Sequence, residues 1–204
     1  MKTWQWVVTI LISFALGFAS FRFFAPDEPA PIATAPASTA PIQVPAELLN
    51  ITSSDGRFSG LQPTQALYIA YFGFTHCPDV CPTSLAMLSG AFNALSPQQL
   101  AAVQGLFITL DPKRDTPEKS TVYAGYFHPN IVGLTPHEGQ LLGLSQQLGV
   151  YYKYVDTPDS AMEYSVDHSS FFYLLDGQGR LLERIPHTLD PQPLVDAIIA
   201  HIDN

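Results

Sequence analysis

Apolar positions in this chain fall in blocks whose period changes along its length. Residues 67–72 form an unbroken apolar run rich in aromatic side chains, the pattern of a strand covered on both faces. Over 83–95 the period becomes helical, with Leu85, Leu88, Phe92 and Leu95 on one stripe. A second strand is predicted over 106–110, closed by Asp111-Pro112. Thr116-Pro117-Glu118 then opens a helix, with proline in the first turn, where its missing N–H costs nothing. A third helical pattern covers 137–148 and stops at Gly149. Residues 171–175 read as a strand, which the turn Asp176-Gly177-Gln178-Gly179 folds back onto 180–185 as a hairpin. A closing helix is predicted over 193–202.

The order is β-α-β-α, a helix, then β-β-α. Strand–helix alternation implies a parallel pair with right-handed crossovers, and the hairpin adds antiparallel strands. The expected fold class is therefore α/β, with a mixed central sheet flanked by helices. That order resembles the thioredoxin fold, with an extra N-terminal section and one inserted helix. The head so formed is assigned to residues 47–204.

The residues before it have a different composition. Residues 4–21 are uncharged and apolar, close to the roughly 17–25 residues that a membrane-spanning helix needs. Trp4 and Trp6 at one end, and Phe21, Phe23 and Phe24 at the other, suit the two membrane interfaces. A cleaved signal peptide competes with this reading, but its apolar core is usually only about 7–15 residues. Residues 1–24 are thus expected to be a transmembrane anchor. Residues 25–46 hold six prolines among Ala, Thr and Ser, a composition that stays extended rather than folding, and are expected to be a linker. The arrangement predicts a single-pass protein of a bacterial inner membrane, with its soluble domain in the periplasm.

Charge removes one class of function. Nine basic residues stand against 18 acidic ones, a formal net charge of −9. No basic run is present, so nucleic acid is not an expected partner. The 204 residues contain two cysteines, too few for a disulfide framework. Closing the short step between them would constrain the unfolded chain little. Reactivity or ligation accounts for the pair better than stapling does.

Both cysteines, Cys77 and Cys81, lie where the first strand gives way to the first helix. Pro82 belongs in the first helical turn and Asp79 is placed to cap it. Cys81 then sits near a helix N-terminus, where the dipole favours a thiolate. Side chains four apart on a helix have Cβ atoms about 5–6 Å apart, wider than the roughly 3.5–4.5 Å of a disulfide. The dithiol oxidoreductase signature, Cys-x-x-Cys, is one residue shorter. The spacing favours ligation of one soft ion and leaves disulfide exchange open. Thiolates select Cu(I), Zn(II) or iron–sulfur clusters, and structural zinc and clusters usually want four protein ligands. With two cysteines, copper held by two sulfurs and one imidazole is the economical set.

Six histidines compete for the third position. His128 and His201 are expected to be solvated. His137 stands at a helix start and His187 in a loop after Pro186. His76 adjoins Cys77, but adjacent residues at a strand end point apart. His168 is the strongest candidate. It lies in Val166-Asp167-His168-Ser169-Ser170, just before the strand at 171–175. In thioredoxin-like proteins this segment lies against the cysteine helix, usually through a cis-proline. No proline stands near Ser170 here, and an imidazole is slightly upstream.

Three blocks together carry a family resemblance. Phe72-Gly73-Phe74-Thr75-His76-Cys77-Pro78-Asp79-Val80-Cys81-Pro82 resembles the signature of the Sco/SenC family. Asp111-Pro112-Lys113-Arg114-Asp115-Thr116-Pro117 resembles its second block, and Asp167-His168 with Tyr173-Leu174 its third. Residues 50–65 are less typical of the family's Asp-x-x-Gly stretch. The resemblance implies a thioredoxin-like copper protein of cytochrome c oxidase assembly, with Cys77, Cys81 and His168 as ligands of Cu(I) or Cu(II). It implies as partners cytochrome c oxidase subunit II, the membrane through the N-terminal helix, and other copper chaperones. Two roles are implied: delivering copper to the dinuclear centre of subunit II, or keeping that centre's cysteines reduced as a thiol–disulfide reductase. Peroxide reduction by the thiols is a third, separate reading. Arg114 and Asp115 are expected to pair with each other or to cap the next helix.

Overall fold

The computed structural model describes residues 41–158 and 162–203. Its regular elements are β1 (Leu67–Gly73), α1 (Val80–Ala94), α2 (Pro97–Ala101), β2 (Val103–Thr109), α3 (Pro117–Phe127), β3 (Ile131–Leu134), α4 (Glu138–Leu148), β4 (Tyr152–Asp156), β5 (Tyr164–His168), β6 (Phe171–Leu175), β7 (Leu181–Pro186) and α5 (Gln192–Ile202). A short 3₁₀ turn at Ala46–Leu49 precedes them.

Five strands form one sheet in the order β3-β2-β1-β6-β7. β1 pairs in parallel with β2, and β2 with β3. β6 runs antiparallel to β1, and β7 to β6. The α/β class and the mixed sheet are as expected. β1 is central and buried at every position, which is why its sequence has no polar alternation. Burying side chains such as Ile69 and Phe72 on both faces stabilises the fold by roughly 1.5–3 kcal/mol each.

Close approach explains two glycines. A methyl group at Gly133 of β3 would stand 1.9 Å from the Ser120 carbonyl oxygen of α3. The helix therefore lies directly on the strand. Gly149 adopts φ 66°, the left-handed stop of α4 that the sequence predicts. Thr116 caps α3 by accepting from the Lys119 amide at 3.3 Å, and His137 caps α4 in a reciprocal pair with Gln140.

Several elements differ from expectation. α2 is a short helix that the sequence reading omits, although Ser96-Pro97-Gln98-Gln99 forms a complete capping box. β3 has only four residues and was hidden by its shortness. β4 and β5 make a separate two-stranded sheet, and their alternation is blurred by half-exposed tyrosines. His168 is thus the last residue of β5. The chain also packs earlier than residue 47. Val44 is buried, and its amide donates to the Gly179 carbonyl at 2.9 Å. Most of the expected linker, and the whole anchor at 1–24, lie outside the described residues. Among the described residues no helix is long and apolar enough to cross a membrane.

Candidate metal centre

The strand-to-helix junction builds the first half of the site. β1 ends at Gly73, and Phe74 is buried beneath the turn that follows. The Cys77 amide donates to the Phe74 carbonyl at 3.2 Å, bending the chain so that α1 starts at Val80. Asp79 occupies the cap position, but its side chain makes no capping bond, contrary to expectation. The Cys77 sulfur takes that role, accepting from the Cys81 amide at 3.4 Å. An unpaired helix N–H therefore points at a sulfur, a setting that favours thiolate.

The two thiols are free and differ in environment. Cys81 is fully buried, whereas Cys77 is half-buried. A hydrogen bond from Cys81 lowers the Cys77 thiol to about 4, helped by the Asp79 and Cys81 backbone amides, against the opposing effect of burial. The same hydrogen bond, with burial and the charge of Cys77, pushes Cys81 well above its ordinary value. The uneven settings favour ionisation of Cys77 before Cys81. Gly73 makes room for the pair: a methyl group there would stand 2.8 Å from Cys81 Sγ.

β5 supplies the second half. His168 Nε2 lies 3.5 Å from Cys81 Sγ, across 87 residues of sequence. Its Nδ1 is 3.0 Å from the Ser169 carbonyl oxygen. A carbonyl only accepts, so Nδ1 carries the proton and the Nε2 lone pair faces the sulfurs, the orientation found in metal-bound histidines. Tyr71 and Phe74 hold the ring edge-on, with centroids 6.4 and 6.2 Å away. Tyr71 in turn bonds Ser170 Oγ at 2.9 Å, where thioredoxin-like proteins usually place the cis-proline. No cis peptide is found among the described residues. A cleft of about 250 Å³ opens onto the site, lined in part by Cys77, Pro78, Val80, Asp167 and His168.

The residues fit a soft ion. A sulfur and a nitrogen bonded to one first-row ion at about 2.3 and 2.0 Å stand about 3.5 Å apart at a tetrahedral angle, the spacing of Cys81 and His168. Among the described residues no three His, Cys, Asp or Glu side chains already surround a common point. Binding an ion there requires Cys81 to give up its proton.

The other histidines separate clearly. His76 Nδ1 is taken by Thr75 Oγ1 at 3.1 Å and faces Asp115 at 3.6 Å. His187 bonds Ser84 Oγ at 2.7 Å. His137 is a helix cap, and His201 meets Glu183 at 3.1 Å. His128 corrects an expectation. It is buried against Phe92, accepts from the Asn130 amide at 3.0 Å, and its ionisation is suppressed by burial. Tyr71 and Gly73 are the site residues that sequence reasoning left unassigned. Their signal was only their place at the end of the strand entering the cysteine turn.

The SCO1/SenC family pattern matches residues 46–203. The chain belongs to the SCO1/SenC family. Among SCO1/SenC relatives, a SCO2-like protein of Rickettsia felis is 39% identical over 130 residues, 64% of this chain and 63% of the relative. The mitochondrial protein SCO1 of Saccharomyces cerevisiae is 38% identical over 134 residues, 66% of this chain and 45% of the relative. The matched region thus spans less than two thirds of these relatives. Among solved SCO1/SenC structures, Arabidopsis thaliana ScoI with copper bound is 30% identical, with a TM-score of 0.66 over 80% of this chain and 97% of that one. Yeast Sco1 with copper bound is 36% identical, with a TM-score of 0.61 over 70% and 78%.

Proposed function

We propose that this chain is a copper metallochaperone that delivers copper to the dinuclear copper centre of cytochrome c oxidase subunit II during assembly. Cys77, Cys81 and His168 hold the copper cargo, and the head works in the periplasm, tethered to the inner membrane by residues 1–24. One observation carries the reading: the buried Cys81 sulfur, with Cys77 Sγ bonded to its amide, lies 3.5 Å from Nε2 of a histidine whose other nitrogen is already tied to a carbonyl. Both thiolates and a neutral imidazole are soft or borderline donors that suit copper. Three donors leave room for an incoming ligand from a partner, and the half-exposed Cys77 is the donor that an acceptor protein reaches first.

The same asymmetry supports a second reading, a thiol–disulfide reductase that keeps the subunit II cysteines reduced. A half-exposed thiolate at Cys77 attacks a partner disulfide and forms a mixed disulfide, releasing one partner thiolate. Cys81, losing its proton, then attacks Cys77 Sγ and releases the second partner thiolate. The chain leaves as its own disulfide, so an external dithiol must reduce it for each turnover.

The test is a transfer assay. Cu(I)-loaded full-length chain is mixed with apo subunit II whose cysteines have been reduced beforehand. Delivery predicts copper in subunit II at a rate above that of free Cu(I) under a competing chelator, and loss of that transfer in His168→Ala. Transfer no faster than from chelator alone, together with efficient reduction of oxidised subunit II by His168→Ala, would replace delivery by the reductase reading.

A further inference from the structure

Residues 110–115 touch both halves of the site. On one side, the Asp115 carboxylate is fully buried. It accepts from the Thr75 amide at 2.9 Å, Thr75 Oγ1 at 2.5 Å and Thr109 Oγ1 at 2.6 Å. Thr75 lies two residues before Cys77. The Leu110 amide adds a bond to the Gly73 carbonyl at 2.7 Å. On the other side, Arg114 pairs with the buried Asp111 carboxylate. Its Nη1 donates to the carbonyls of Met162 and Tyr164, both at 2.9 Å. Its guanidinium lies 3.7 Å above the Tyr164 ring. Tyr164 OH donates to Asp111 at 2.8 Å, and Tyr154 OH donates to the Leu110 carbonyl at 2.8 Å. Arg114 and Asp115 neither pair with each other nor cap the next helix, which Thr116 caps; they make two separate sets of bonds facing in opposite directions.

The register of β5 turns these contacts into a constraint on the imidazole. Tyr164, Val166 and His168 alternate along the strand, so they share one face. Tyr164 is opposite Asp156, and His168 is opposite Tyr152. A guanidinium fork on Tyr164 and its carbonyl therefore fixes the sliding and tilt of the strand that ends in His168. The thiol turn is fixed to the same loop, residues 110–115, through Asp115.

We propose that Asp111, Arg114 and Asp115 form a positioning bracket that sets the gap between the Cys77–Cys81 pair and the His168 ring, with Arg114 acting on the site through His168. Neither Arg114 nor Asp111 touches the cargo. Arg114 suits the task because its planar fork reaches two carbonyls while stacking on a ring, which a lysine ammonium cannot do.

The inference rests on the proposed copper site, and its test separates the two. Full-length wild type, Arg114→Ala, His168→Ala and the double variant are titrated with Cu(I) against a competing chelator. Groups that orient a metal-bound histidine change affinity by about 10–100-fold, so Arg114→Ala is expected to weaken Cu(I) binding within that range. In the His168→Ala background the same substitution should change affinity by less than about twofold, because nothing remains for it to position. An equal loss in both backgrounds, or none in either, overturns the bracket. A second arm needs no metal. In apo Arg114→Ala, hydrogen exchange of the β5 and Ser169 amides should accelerate about tenfold or more, with the α1 amides unchanged. Unchanged β5 exchange overturns the bracket. If His168→Ala alone binds copper like wild type, the three-donor site fails and the exchange arm alone decides the bracket. Should Arg114→Ala not fold, Arg114→Lys is used, with the same expected direction in both arms.

Discussion

Gly73→Ala is the smallest change that strikes the thiol pair without removing a thiol. The added methyl would stand 2.8 Å from Cys81 Sγ, and 3.2 Å from both Phe107 Cε2 and Tyr71 Cε1. Ordinary non-bonded contacts are about 3.5–4.0 Å, so the sulfur or the strand must give by roughly 0.7–1.2 Å. Neither yields easily. Gly73 is paired with Thr109 in the central sheet, and α1 packs against α3 and α5. Overpacking of this kind costs about 1–3 kcal/mol. For a domain of this size that corresponds to a melting point lower by roughly 2–12 °C. Displacing Cys81 also weakens its hydrogen bond to Cys77, which is the first cause of the depressed Cys77 ionisation. The metal-free variant should melt early, and its Cys77 should need a higher pH to react with iodoacetamide. An unchanged melting point together with an unchanged alkylation profile would refute the packing argument.

The remaining predictions concern charge and packing. In the wild-type metal-free chain, the iodoacetamide rate at Cys77 should be nearly flat from pH 6 to 8 and fall only as the pH approaches about 4, whereas a free cysteine (ordinary value about 8.5) gains rate steadily over that range. The sign for stability follows from the same lowered value. Cys77 contributes stability fully present above the ordinary thiol value and lost as pH falls towards about 4, so a Cys77→Ser variant should show a shallower loss of stability over that range. Because one thiol is already ionised, Cu(I) binding at pH 7 should release about one proton rather than two, measurable by calorimetry in buffers of different ionisation enthalpy. Gly133→Ala would drive a methyl to 1.9 Å from the Ser120 carbonyl oxygen. It should destabilise the fold by about 3 kcal/mol or more, while the folded fraction keeps wild-type Cys77 reactivity.

Legibility in the sequence followed burial and length. The continuous apolar run of β1, the helical stripe of α1 and the turn at 176–179 each carry a strong periodic or turn signal, and each was placed within a few residues. β4 and β5 carry no such signal, because Tyr152 and Tyr164 are only partly buried against the core, and Tyr154 and Tyr164 are held in addition by hydroxyl bonds to residues 110–111. The thiol pair was visible as spacing. Its uneven ionisation was not, since it depends on one sulfur being buried and the other capping a helix. The Asp79 cap failed for the same reason: the turn places Cys77 Sγ, not the Asp79 side chain, under the Cys81 amide in the first turn of α1. Arg114 and Asp115 looked like neighbours that could pair, but successive residues in this loop point to opposite sides, one to the start of β5 and one to the thiol turn.

The most direct measurement of the central claim is copper X-ray absorption on the full-length chain loaded with one equivalent of Cu(I), in wild type and in His168→Ala. The account predicts two sulfurs and one nitrogen around copper in wild type, with the nitrogen scattering lost in the variant. Identical spectra from the two proteins, or a wild-type shell of sulfur alone, would contradict it.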